Sequence, residues 1–417
     1  MSKTSDALTS PQRCRAVAQR LLTWAQEWLP DFPWRHTNDP YALWVAVVML
    51  QQTQVATVLP YYRRFLARFP TLQDLATANL DEVLKVWEGL GYYTRARNLH
   101  AAARLMVERY GGQLPTDRQP LMALPGIGEY TAGAMLSIAF GRDEPAVDGN
   151  VRRVLCRLFA VEGDPRRAAI QRRLWELARC LLPPGRTGDF NQGLMHLGTV
   201  VCTPRRPDCA DCPLVGLCEA QRLGLQEQLP RRAPRRTVPH YEVAAGVIRD
   251  DDGRLLIAQR LADDMLGGMW EFPGGRCEAG ESLRECLRRE IREELGLEIE
   301  IGERLTTVHH AYSHFRITLH AFHCRPVGGE PQALGCADWR WIRLSELPDF
   351  PFPVADQRII AALVSSSPEH SVEQPDGEGE EEARHSQLDR GCSGLEETGQ
   401  LLGGGTPKGQ DKDHHQG

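Results

Sequence analysis

The sequence predicts an all-α module over 11–221 followed by a smaller α+β domain over 241–364. Three observations carry that reading. Apolar residues recur every three or four positions through 40–69 and 80–110, the period of helices with one buried face. From Tyr241 the period shortens to that of strands, as in YEVAAGVIRD and GRLLIAQR around an Asp-Asp-Gly turn. Where the helical half ends, four cysteines fall within one short stretch, 202–218. The segment 222–240, with three prolines and two Arg pairs, reads as a linker laid along a surface.

A chain of 417 residues exceeds what one hydrophobic core usually serves, and 42% apolar residues is ordinary for a globular protein. No apolar run is long enough to span a bilayer, and MSKTSDALTSPQR lacks the apolar centre of a signal peptide. A cytoplasmic protein without a membrane partner is expected, as a monomer. The net charge of −6 is uneven: 365–417 holds 12 acidic and 4 basic residues, so the first 364 residues carry +2. That acidic end has few apolar residues and is expected to be disordered. The basic residues are almost all Arg, which suits bidentate phosphate contact but also follows from base composition alone.

Cys202, Cys209, Cys212 and Cys218 have the spacing C-x6-C-x2-C-x5-C. Four soft thiolates in one loop hold zinc or an iron–sulfur cluster. Zinc sites usually show two C-x2-C knuckles, and only one close pair exists here. Arg205 and Arg206 project from the same loop, so a structural centre would pin a basic loop against phosphates. Earlier, Leu124-Pro125-Gly126-Ile127-Gly128 sits between two helical segments. Gly126 and Gly128 permit a tight turn whose N–H groups grip a phosphate, although a plain helix–helix turn has the same composition. Asp148, in Val-Asp-Gly-Asn-Val, places a carboxylate at a helix start, where it also serves as an N-cap.

Together these features resemble the helix–hairpin–helix DNA glycosylase superfamily over about 11–220, and within it the adenine DNA glycosylase family. The matching segments are FPWRHTNDPYALWV (32–45), VMLQQTQV (48–55), WEGLGYYTRARNLH (87–100), LPGIGEYTAGA (124–134), VDGNVRRV (147–154) and the cysteine loop. The resemblance implies a helical glycosylase module with a 4Fe-4S cluster, acting on duplex DNA that carries adenine opposite 8-oxoguanine. It implies that Gln52 and Tyr92 wedge beside the oxidised guanine, and that Arg35 and Tyr130 line the pocket for the extruded adenine. Asp148 would stabilise the oxocarbenium-like sugar. The related endonuclease III pattern has a Schiff-base lysine where this chain has Tyr130. Tyrosine cannot form an imine, so monofunctional hydrolysis is expected.

The chain departs from the family pattern at two places. Adenine leaves only when a ring nitrogen is protonated, and the family carries a glutamate four residues before its Gln-Gln pair. Val47 stands at that position, and no Asp or Glu occurs between Asp39 and Asp74. A positioned acid contributes about 10²–10⁴ in rate, so slow or absent excision with retained mismatch binding is expected. His196 stands where relatives carry Asp or Glu, and a structural role is expected for it.

In the second domain, Gly275-x5-Glu281-x7-Arg289-Glu290-Ile291-x-Glu293-Glu294-x-Gly296-Leu297 satisfies the Nudix signature at every position. Glu290, Glu293 and Glu294 fall within about one helical turn, and with Glu281 could share Mg²⁺ for cleavage of a diphosphate. An ordinary charged helix with i,i+4 pairs is the alternative. Adenine DNA glycosylases carry a Nudix-fold domain that reads 8-oxoguanine, usually with this signature eroded. Tyr312-Ser313-His314 resembles its lesion-probing loop, with Ser313 and His314 as base contacts. FPFPVADQRII (350–360) resembles the purine-holding segment of oxidised-nucleotide triphosphatases, with Asp356 nearest the base. Three functions follow: excision of mispaired adenine, Nudix hydrolysis of 8-oxo-dGTP on a DNA-binding platform, or lesion binding without catalysis.

Overall fold

The computed structural model describes residues 9–37, 39–231, 238–312 and 314–366. The acidic end from 367, the middle of the linker (232–237) and Ser313 lie outside the described residues. Among the described residues no helix is long and apolar enough to cross a membrane.

The helical half is two lobes with separate cores. The first is built on helix Pro40–Met49, where nine of ten residues are buried. Pro40 opens it, and the Asp39 carboxylate caps the N–H groups of Tyr41 and Ala42 at 2.9 and 3.3 Å. Around it pack Phe65 and Phe69 of the Val55–Arg68 helix region, Leu72 and Leu75, Val83, Leu84 and Trp87, then Leu99 and Met106 of helix Thr94–Tyr110. The second lobe joins the N-terminal helix Pro11–Trp28 to helices Gly149–Leu158, Ala168–Leu181 and Thr187–Val200. The chain thus enters in the second lobe, makes the first, and returns. Asp148 is at the point of return.

The α+β half has two sheets. Strands β1 (His240–Ile248), β4 (Gly274–Arg276), β5 (Glu298–Ala311) and β6 (Arg316–Gly328) form one, in the order β4-β1-β6-β5. Within it β1 and β6 are parallel, from His240 opposite Arg316 to Ile248 opposite Cys324, and the other pairs are antiparallel. Strands β2 (Leu255–Gln259), β3 (Trp270–Glu271) and β7 (Asp338–Ile342) form the second sheet, ordered β3-β2-β7. Side chains alternate along β1 and β2. Ala244, Ile248, Leu256 and Ala258 meet helix Leu283–Leu295 through Cys286, Leu287 and Ile291. Ala245, Val247, Leu255 and Ile257 face Ala355, Ile359 and Leu363 of helix Val354–Ser365. A reciprocal Ser282–Glu285 capping box starts the first of these helices, and Gly296, at φ 63°, ends it.

Sequence periodicity separates the halves at the linker, but the structure joins them. Met269 is fully buried in the core of the first helical lobe. The Asp81 carboxylate accepts hydrogen bonds from Gln259 Nε2 (3.1 Å) and Trp270 Nε1 (3.3 Å). Lys85 Nζ donates to the Phe350 carbonyl, Glu88 Oε1 accepts from Phe352 N, and Arg97 donates to the Gly267 carbonyl. The first part of the linker is docked too: Leu229 is buried and its carbonyl accepts from Arg157 Nε at 2.9 Å.

Met269→Ala is expected to lower the unfolding free energy by about 2–5 kcal/mol, because it removes a large side chain from a core that cannot fully collapse. Denaturant titration of the full chain measures it; a loss under about 0.5 kcal/mol would place Met269 outside that core.

Candidate functional site

Asp148 caps helix Gly149–Leu158: its Oδ1 accepts from Val151 N at 2.7 Å and its Oδ2 from Asn150 Nδ2 at 3.2 Å. The N-cap and functional readings are therefore not exclusive. Burial pushes the carboxyl above the usual aspartate range, while those hydrogen bonds and Arg153 pull it back. Gly198 explains how the next wall comes so close. A Cβ there would stand 2.7 Å from Asn150 Cβ, so only glycine lets helix Thr187–Val200 seat against the Asp-Gly-Asn turn.

That helix presents Gln192, Met195 and His196 along one face. Arg35 follows from a short 3₁₀ turn, with Nε donating to Gln192 Oε1 (3.3 Å) and Nη1 to the Pro30 carbonyl (3.0 Å). Tyr130 points its hydroxyl at Met195 Sδ, 4.0 Å away. Burial and the Asp148 charge both push the Tyr130 phenol up, so it stays neutral. Asp148, Tyr130 and Arg35 thus gather where the two lobes meet. His196 stacks on Trp24, centroids 5.5 Å apart. Burial, with Arg35 pushing the same way, holds its ring below the usual histidine range against a hydrogen bond at the Trp28 backbone. A neutral, stacked imidazole is a poor proton donor. Val47 is 5% exposed and belongs to the apolar core of the first lobe.

A second group forms on the first lobe. Gln52 and Tyr92 are exposed, and both have left-handed backbone, φ 59° and 50°. Non-glycine residues there carry strain of about 1–2 kcal/mol each. Between them lies Arg95, a buried residue that sequence patterning passed over because arginine on a helix ordinarily reads as surface. The hairpin packs against the Arg95 helix: Gly126 has φ 74° and a Cβ would meet Asn98 at 2.8 Å, whereas Gly128 has ordinary φ and caps helix Glu129–Ile138.

The cysteine loop closes the second lobe. Cys202, Cys209, Cys212 and Cys218 ring a cavity of about 30 Å³ together with Arg157. Arg157 Nη1 donates to Cys202 Sγ (3.3 Å) and to the Thr203 carbonyl (2.7 Å); Arg153 Nε donates to the Cys202 carbonyl (2.8 Å). Arg153 also reaches Asn150 Oδ1 at 2.9 Å, so a continuous path links the loop to the Asp148 turn. Burial pushes the Cys212 thiol up to about 12 and raises those of Cys209 and Cys218, with neighbouring thiols adding to it. Arg205 and Arg206 are exposed.

In the α+β half, Glu290 and Glu294 line a cavity of about 300 Å³ with Arg260, Glu271, Tyr312 and Asp356. The Glu290 carboxylate packs directly over Gly275, where a Cβ would stand 2.3 Å from its carboxyl carbon and displace it. Glu281 and Glu293 are turned to Arg289, which also bonds Glu290; the four members of the box do not converge on one point. Among the described residues no three His, Cys, Asp or Glu side chains are arranged to hold a single metal ion. Glu271, paired with Arg260, was not singled out from sequence because a lone Glu in a strand carries no spacing signal. Burial, then Glu271 and Glu290, pushes Glu294 up to about 8; burial, then Glu271, does the same to Asp356. Asp356 Oδ1 accepts from Phe272 N at 3.1 Å. His314 lies at the bend between β5 and β6, in ring contact with Phe315.

Residues 45–180 match the model of the HhH-GPD superfamily base excision DNA repair protein, and 244–362 match that of the NUDIX domain. The chain is 38% identical over 382 residues to the adenine DNA glycosylase of Homo sapiens, spanning 78% of this chain and 70% of that protein. The chain belongs to the adenine DNA glycosylase family. The corresponding protein of Schizosaccharomyces pombe is 32% identical over 387 residues, 79% of this chain and 83% of its own length. A solved thermostable thymine-DNA glycosylase is 32% identical, covering 51% of this chain and 98% of its own, with a TM-score of 0.47. Family membership makes the chain a base-excision repair glycosylase with a helix–hairpin–helix half and a Nudix half.

Because the folded-state pKa of Asp148 is raised, its ionised form opposes folding at neutral pH, and that penalty fades as pH falls through the shifted value. Asp148→Asn, which keeps an N-capping oxygen, is expected to be more stable than wild type at pH 7.5, with the difference shrinking toward pH 4. Paired denaturant titrations across that range check it; a variant less stable at neutral pH contradicts the burial of the charge.

Proposed function

We propose that this glycosylase recognises duplex DNA bearing adenine opposite 8-oxoguanine and excises the adenine by hydrolysis, slowly. The grouping of Asp148, Tyr130 and Arg35 between the lobes carries the reading. Asp148 carries the charge that a forming oxocarbenium ion needs. Arg35 and the neutral phenol of Tyr130 line the space for an extruded base. Gln52 and Tyr92 stand out from the first lobe as inserting side chains, and the Gly126 hairpin offers N–H groups to a phosphate. Val47 supplies no proton and His196 is held neutral, so adenine departs without a positioned acid.

The cysteine ring fits a 4Fe-4S cluster. Its thiols surround a void, as cluster ligands do, and burial that raises the Cys209, Cys212 and Cys218 thiols favours thiolates there only beside a cationic centre. Bound there, the cluster would hold the loop together and leave the chemistry to Asp148. Arg205 and Arg206 would then face the backbone of the duplex.

A second activity is favoured by the α+β cavity, where Glu290 and Glu294 stand opposite Asp356 and three aromatic rings, Phe272, Tyr312 and Phe315. That space suits a purine nucleotide such as 8-oxo-dGTP, with Mg²⁺ neutralising the carboxylates and the phosphates together.

Single-turnover excision on an 8-oxoguanine:adenine duplex tests the first reading. Val47→Glu is expected to raise the rate by about 10²–10⁴ while mismatch affinity changes little; wild-type turnover unaffected by the substitution would sink it. For the second, magnesium-dependent hydrolysis of 8-oxo-dGTP should be abolished by Glu293→Gln or Glu294→Gln without loss of DNA binding. No release by the wild type would leave this half a reader only.

A further inference from the structure

We infer that Arg95 is the positioning residue that sets Gln52 and Tyr92 in register with each other, so that the two act as one wedge. This rests on the reading that both side chains enter the duplex.

The two turns that carry them are forty residues apart in sequence. Among the described residues no backbone–backbone hydrogen bond joins one turn to the other. Arg95, on helix Thr94–Tyr110, reaches both. Its Nη1 donates to the carbonyls of Val48 (3.1 Å), Met49 (2.7 Å) and Gln51. Its Nη2 donates to Thr53 Oγ1 (3.1 Å) and to the carbonyls of Leu90 (3.5 Å) and Gly91 (3.1 Å). The guanidinium carbon lies 5.4 Å from the Trp87 ring centre and 5.3 Å from that of Tyr92. One planar group therefore grips the backbone just before Gln52, the Thr53 hydroxyl just after it, and the backbone just before Tyr92.

The chemistry of the group explains why it is arginine. Three of the accepting carbonyls close the C-terminal end of helix Pro40–Met49, where backbone dipoles favour a cation. A rigid fork can satisfy two sets of acceptors at fixed separation, while a lysine head is a single point and reaches one set well. Such bracing matters here because Gln52 and Tyr92 both sit in strained left-handed backbone and would relax if released. A wedge already in its inserting geometry avoids the ordering cost that a loose one meets on binding.

The test uses the full chain and an 8-oxoguanine:adenine duplex with 2-aminopurine beside the lesion, whose fluorescence rises when stacking is broken. Wild type, Arg95→Lys, Tyr92→Ala and the double variant are compared on this duplex and on a matched one. Arg95→Lys is expected to remove at least about half of the fluorescence rise and about tenfold of the mismatch preference, with matched-duplex affinity held within about twofold. In the Tyr92→Ala background the same change should add less than about twofold, because residues acting through one another are not additive. Equal loss on both duplexes, or losses that multiply in the double variant, would mean that Arg95 only supports the fold. A wild type without any fluorescence rise overturns the wedge reading itself. A normal rise that Arg95→Lys leaves intact overturns this inference alone. A thermal melt of Arg95→Lys within a few degrees of wild type confirms that the comparison is made on folded protein.

Discussion

The hydrogen bonds from Arg153 and Arg157 to the cysteine loop hold the Asp148 turn in place. Both arginines are buried on the helix that Asp148 caps. They fasten the carbonyls of Cys202 and Thr203 and the thiol of Cys202 on one side, and Asn150 on the other. A carboxylate can be kept in a place that disfavours its charge only if its surroundings cannot relax around it. The clamp provides that rigidity: the Asp148 turn, the loop and helix Thr187–Val200 are pinned through the close approach at Gly198. The cysteine loop and the Asp148 turn are thereby coupled without direct contact.

The same geometry divides labour between the lobes. The second lobe holds Asp148, and the first holds Gln52 and Tyr92, the side chains proposed to meet a duplex. Helix Leu80–Trp87 then ties the first lobe to the α+β half through Asp81, Lys85 and the residues that follow. The turn carrying Tyr92 begins just after that contact. The α+β half is therefore seated within a few residues of the turn that carries Tyr92. Its own cavity, with two carboxyls pushed up to about 8 beside Arg260, is a separate polar pocket.

Much of this was legible in the sequence because spacing records local chemistry. The cysteine loop, the glycine hairpin, Asp148 at a helix start and the glutamate box are all short-range patterns, and each lies where its pattern implied a loop, turn, cap or helix. Arg95, Arg153 and Arg157 were not legible. Each sits on a helix where arginine normally faces water, and the partners that hold it buried include groups dozens of residues away. Met269 was unreadable for the same reason, since nothing local shows that a residue of the second half completes the core of the first. The box illustrates the limit from the other side. Its spacing puts four glutamates near one helix, but Arg289 draws Glu281 and Glu293 to itself and also bonds Glu290, so that only Glu290 and Glu294 line the cavity.

The proposed excision pocket has a carboxylate, Asp148, for the sugar and buried Val47 where an acid for the base is expected. The pH dependence of single-turnover adenine release reads that directly. With protons coming only from solvent, the rate should fall about tenfold per pH unit from about pH 6 to 9, once Asp148 is ionised. A plateau near neutrality, breaking at a definable upper pKa, would show that a positioned acid exists after all and would contradict the reading of Val47.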